Sequence, residues 1–240
     1  MKKLYEKSKI WFAVVWIIIY VVGPSIVDCL TQTHGATLGF HLALSLILLA
    51  FLKQQGLFRE FGLCKAKYPA KKFLFYLPLI AISTVNFWFG VRLNEPVHEA
   101  VFVALSMVCV GFLEELNFRG FLFKAMAKDG ITSAIIVSSV TFGIGHIVNL
   151  INGSGADLVS NLCQVIYAIA FGYLCVILFH RGGSLLPCIA AHSFVNATSV
   201  FQGDVTQAQQ FLSAAVLTVV PLIYAIVLQK MLPKETEKAC

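Results

Sequence analysis

The sequence predicts an all-α, polytopic membrane fold with about eight transmembrane helices. Three observations predict it: the apolar composition, the length of the apolar runs, and the alternation of basic and acidic loops. The chain is 58% hydrophobic and 12% charged, with a mean hydropathy of +0.82, well outside the range of soluble domains. Scanning for runs near the ~20 residues a bilayer demands marks 10–27, 36–52, 73–91, 100–123, 133–151, 158–179, 185–201 and 211–228. The first run exceeds a typical signal-peptide core and lacks a small-residue cleavage site, so it reads as a retained span. Cys29 follows Ile26, Val27 and Asp28, and the aspartate argues against lipoprotein cleavage.

Charge orients these spans. Basic residues cluster at Lys2, Lys3, Lys7 and Lys9, across 53–72, at Lys124 and Lys128, at Arg181, and across 230–238. The intervening loops hold Asp28, Glu95, Glu99, Asp157 and Asp204, with Arg92 as their base. The positive-inside rule then places both termini in the cytoplasm of a multi-pass protein of the cell membrane. The net charge of +6 follows from this asymmetry, so a lipid bilayer is the expected partner and a nucleic acid is not. The cysteines at 29, 64, 109, 163, 175, 188 and 240 form no CxxC pair, and most sit in apolar runs as small hydrophobes. With no repeat, low-complexity tract or soluble domain, residues 1–240 read as a single membrane domain. The longest polar interval, 53–72, is expected to lie as an amphipathic segment on the cytoplasmic surface.

Within the apolar runs, three polar elements stand out. The first is GFLEELNFRG at 111–120, with Glu114, Glu115 and Arg119; acids inside membrane segments are usually functional or paired. Glu115 and Arg119 stand at i and i+4 and can pair on one helix face. Glu114 lies roughly 100° around the helix from Glu115 and is left for general-base work. The second is TFGIGHIVN at 141–149, where His146 stands one turn after Phe142, beside Gly143 and Gly145 that permit close approach. The third is RGGSLLPCIAAHSFVN at 181–196. Here Arg181, Gly182 and Gly183 read as a helix end and Ser184 as a cap for the next helix, on which His192 and Asn196 share one side.

Each element alone has a structural reading as a buried ion pair, a packing histidine or an interhelical hydrogen bond. Together, a carboxylate, two histidines and an asparagine on three apolar helices are what peptide hydrolysis inside a membrane requires. One base activates water, and donors stabilise the oxyanion. His34 and His98 near outer span ends, His180 in an inner loop and His41 isolated in its span are less involved. Counted from the basic ends of their helices, Glu114 lies about 15 Å deep, His192 about 10–15 Å and His146 about 20 Å. Cleavage is therefore expected near the cytoplasmic side, given tilted helices or a deeper fifth span.

The ordered set resembles the CAAX-protease and bacteriocin-processing (CPBP, formerly abortive-infection) family of intramembrane endopeptidases. That family's motifs Glu-Glu-x-x-x-Arg, Phe-x-x-x-His and His-x-x-x-Asn read here as Glu114, Glu115 and Arg119; Phe142 and His146; and His192 and Asn196. The resemblance covers about residues 100–200, the expected catalytic core, with Phe61-Gly62-Leu63 as a weaker upstream feature. It implies an internal polar cavity, water activation by Glu114 and His146, and oxyanion stabilisation by His192 and Asn196. Glu115, Arg119 and Phe142 would support the site. A short, loop-poor chain with a lysine-rich N-terminus points to a bacterial source. Bacterial relatives are tied to peptide or bacteriocin maturation, self-immunity and signalling, and the implied substrate is a peptide or membrane protein.

Glu114, His146 and His192 also form a candidate two-histidine, one-carboxylate zinc site. There is no HExxH motif, and the expectation is a reaction without cofactor or metal, with zinc as its alternative. Two other classes use the same residues: a non-catalytic membrane immunity or regulatory partner, and a proton-coupled transporter. The transporter is disfavoured because no pseudo-repeated halves with broken helices are evident.

Overall fold

The computed structural model describes residues 1–93, 95–150 and 157–233. Among these, six helices are long and apolar enough to cross a membrane: Lys9–Thr31, His34–Gln54, Val97–Met126, Ile131–Leu150, Leu158–Gly182 and Gln207–Met231. In order, the α-helices are α1 (Lys2–Lys7), α2 (Lys9–Thr31), α3 (His34–Gln54), α4 (Leu77–Ser83), α5 (Val97–Glu114), α6 (Lys124–Met126), α7 (Ile131–Gly145), α8 (Leu158–Gly182), α9 (Leu186–Thr198) and α10 (Gln207–Met231). The multi-pass, all-α architecture is as the composition predicts. The end of the fifth expected span at Ile151, the lysines beyond 233 and Cys240 lie outside the described residues.

Local chemistry sets the helix ends. Ser8 accepts from the Trp11 N–H at the start of α2, and Asp157 accepts from the Val159 and Ser160 N–H groups at the start of α8. Thr206 and Gln209 form a capping box on α10. These contacts satisfy orphan N–H donors of the first turn. Gly183 stops α8 in the left-handed conformation, at φ 75°, as its glycine pair predicts. Ser184 accepts from the Leu186 N–H at 3.3 Å and donates to the Cys64 carbonyl at 2.6 Å. It thus joins the start of α9 to the preceding basic loop.

Two of the eight expected spans differ. The 73–91 run is broken: Leu74, Phe75 and Tyr76 have φ of 50°, 53° and 57° before the short α4 begins. Residues 186–201 form α9 and one 3-10 turn, shorter than a full span. Both nevertheless travel between the two ends of the bundle. At the basic end, Lys67 N–H donates to the Gly182 carbonyl at 2.8 Å, and Leu185 N–H to the Gly62 carbonyl at 2.8 Å. At the acidic end, Arg92 pairs with Asp204 at 2.7 Å, and Gly203 N–H donates to the Gly90 carbonyl at 3.2 Å. Further along this run Asn86 ties the chain to α9, donating to the Val195 carbonyl at 2.6 Å and the Thr198 hydroxyl at 2.9 Å. An apolar-run count cannot see this, because it scores composition and not the partners of the backbone.

The 53–72 interval lacks a long helix of its own. Between the end of α3 and residue 69 it folds as successive turns, with Phe61 turned inward and packed edge-on against Phe121, ring centroids 4.9 Å apart. Phe61 is buried with Phe12, Leu48, Leu113 and Leu116 in one core cluster. The second cluster joins α8, α9 and α10 through residues such as Leu174, Ile177, Cys188 and Leu228. The polar motifs lie between these two cores.

Candidate active site

Glu114 is the last residue of α5, and Glu115 opens a π-helical stretch, Glu115–Phe123. Wide π turns inside helices occur often at functional sites, and no composition signal announces this one. Ser138 of α7 donates to the Phe118 carbonyl at 2.8 Å, tying the stretch to its neighbour. Arg119, fully buried, lies 3.2 Å from Glu115 Oε1. Its guanidinium also stands 4.0 Å from the centre of the Phe142 ring, an attractive cation–π geometry. The i, i+4 pairing expected of Glu115 and Arg119 is thus present.

Close backbone approach brings α9 to these carboxylates. A Cβ on Gly111 would sit 2.6 Å from the Ser193 backbone nitrogen, so a larger residue would push α9 away. Ser193 Oγ also donates to the Val108 carbonyl at 2.9 Å. His192, next to Ser193, then spans both acids: Nδ1 lies 2.8 Å from Glu115 Oε1 and Nε2 lies 3.2 Å from Glu114 Oε2. Glu114 therefore has partners that its sequence neighbours do not reveal, since Tyr20 of α2 donates to its Oε1 at 2.7 Å.

His146 follows α7. A Cβ on Gly143 would meet the Ile169 nitrogen and the Val165 carbonyl oxygen, both at 2.9 Å. This matches the expectation that Gly143 admits a neighbouring backbone, whereas Gly145 meets nothing within 4 Å and instead lines the cavity. His146 Nδ1 lies 3.1 Å from the Phe142 carbonyl, and Asn161 of α8 donates to the His146 carbonyl at 2.8 Å.

Glu114, Phe142, His146 and Asn196 line one cavity of about 330 Å³. His192 is not among its lining residues; it sits behind Glu114, against Phe142 and Phe171. The lining reaches Asp28, Thr37 and Asn149 at the acidic end of the bundle. This departs from the expected site near the basic end. Depth counted along single helices misses it, because the space is lined jointly by residues of α2, α3, α5 and α7. Tyr20 and His41 also line the cavity; the sequence reading set His41 aside as less involved and did not single out Tyr20. Their one available signal was polarity inside an apolar run.

Among the described residues, the group with ligand atoms within 4.8 Å of one another is Glu115, Cys175 and Cys188, not Glu114, His146 and His192. A zinc ion on the latter three would require His192 to give up one of its two carboxylate contacts.

No curated protein and no solved structure matches the chain. Residues 96–198 match the family described as Type II CAAX prenyl endopeptidase Rce1-like. That stretch contains the motif elements at 114–119, 142–146 and 192–196. Through this segment, the multi-pass membrane chain is similar to the Rce1-like type II CAAX prenyl endopeptidase family.

Proposed function

We propose that the chain is an intramembrane endopeptidase that hydrolyses a peptide bond in a membrane-associated peptide or protein. The observation that carries this reading is the shared cavity of Glu114, His146 and Asn196, with His192 in contact with Glu114. Glu114, with His146, takes a proton from water, and the resulting hydroxide attacks the scissile carbonyl carbon. Asn196 and the His192 Nε2–H stabilise the oxyanion, His192 exchanging its Glu114 contact for the substrate oxygen. The proton held by the acid–base pair then passes to the leaving amine. Glu115 and Arg119 hold His192 from behind. Peptide or bacteriocin maturation, or self-immunity, is the proposed context. Comparing the membrane peptide profiles of cells carrying the wild-type protein or Glu114→Ala tests the reading: the wild type should yield products that the variant lacks. Identical profiles would count against it.

We place both termini in the cytoplasm, supported by the basic loops gathered at one end of the bundle. The cavity lining then leads to the exterior end. Reporters fused after Lys72, Lys128 and Lys238 should read cytoplasmic, and those near Asp157 and Asp204 exterior. The opposite pattern would reverse the orientation.

The reaction is proposed to proceed without metal. Purified protein should keep its peptidase activity after exhaustive chelation. Activity that is lost and then restored by zinc, with near-stoichiometric metal by elemental analysis, would overturn this assignment.

A further inference from the structure

We propose that His41 is a peptide-binding residue of the cavity, its Nε2–H donating to a backbone carbonyl of the bound chain. This rests on the endopeptidase reading and adds a residue outside the three motifs. His41 is 3% exposed on α3, yet it lines the cavity together with Tyr20 and Glu114. Its Nδ1 lies 2.7 Å from Ser106 Oγ of α5, while its Nε2 is buried without a hydrogen-bond partner. In this proposal the Ser106 hydroxyl donates to Nδ1, which places the ring proton on Nε2. Leaving a buried donor unpaired is costly, and a ligand entering the cavity removes that cost.

The neighbours indicate which ligand group meets it. Tyr20 bridges the two sites: its ring centroid is 6.3 Å from that of His41, and its hydroxyl bonds Glu114 at 2.7 Å. An extended peptide advances about 3.3 Å per residue. A chain with its scissile carbonyl at Glu114 therefore presents another carbonyl to His41 within about three or four residues. Val21, Pro24 and Met107 provide apolar wall beside it, suited to the side chains of a hydrophobic peptide. Ser106 fixes the ring so that the donor is already oriented when the peptide arrives.

Binding to the full-length Glu114→Gln protein in detergent tests this without turnover. The probes are dansyl-labelled hydrophobic octapeptides, unmodified and C-terminally farnesylated. A companion series has each backbone carbonyl replaced in turn by a methylene. Saturable binding is expected, and adding His41→Phe should weaken it about tenfold, the scale of one hydrogen bond. Adding His41→Gln, which keeps an N–H donor, should retain most affinity and controls for altered packing. One methylene probe should bind about tenfold more weakly to the parent, with no further loss in His41→Phe. Equal affinity of parent and His41→Phe, a loss independent of any single carbonyl, or no saturable binding would overturn the proposal. Failure of the endopeptidase reading is distinct: the peptides bind in this pattern, but the wild-type protein leaves all of them uncut.

Discussion

Glu114→Gln should accumulate to wild-type levels, unfold at the wild-type temperature and lose cleavage by about 10²–10⁴-fold, the usual worth of a positioned general base. Glutamine has the size of glutamate, and its amide oxygen can keep the Tyr20 hydroxyl bond seen at 2.7 Å. Its NH₂ can donate to His192 Nε2, 3.2 Å from the carboxylate in the wild type, once that nitrogen gives up its proton. The fold therefore loses little, because Glu114 has no direct ion pair with Arg119; that role belongs to Glu115. What glutamine cannot do is take a proton from water. Protein level after membrane extraction, thermal unfolding and cleavage rate, measured together, separate these effects. A Glu114→Gln protein that still cleaves, beside a stable but inactive Glu115→Gln, would make Glu115 the base.

Glu115→Gln should instead damage the fold along with the activity. Glu115 is fully buried, and its Oε1 serves both Arg119 at 3.2 Å and His192 Nδ1 at 2.8 Å. Removing that charge leaves Arg119, also fully buried, as a cation whose nearest compensation is the face of Phe142. Breaking a buried pair by removing one partner typically costs about 3–5 kcal/mol, a large share of the stability of a typical domain. Abundance and unfolding temperature should both fall. Adding Arg119→Met removes the stranded cation while keeping apolar volume, so the double variant should regain abundance but not full activity, since His192 has still lost its anionic partner. A single variant as stable as the wild type would show that Glu115 does not hold the helices together.

The multi-pass all-α class was readable from composition and run length, because a bilayer requires long apolar helices with internally satisfied backbones. The alternation of basic and acidic loops was readable too, and interloop contacts at both ends agree with the order of passes it implies. The Glu115–Arg119 pair was legible because helical spacing alone brings i and i+4 together. Spacing also put His192 and Asn196 on one side of α9. Other features depended on groups far apart in the chain. Tyr20 reaches Glu114 across 94 positions, and His41 meets Ser106 across 65; no local periodicity records such contacts. His192 bridges two glutamates because Gly111 lets α9 come close. The sequence shows that glycine but not what packs against it. The turn that buries Phe61 likewise depends on its distant packing partner, Phe121. Apolar pattern and spacing determined which elements form and which polar residues they carry. Long-range packing decided which of those residues meet, and toward which end the cavity runs, because both depend on contacts between helices rather than along them.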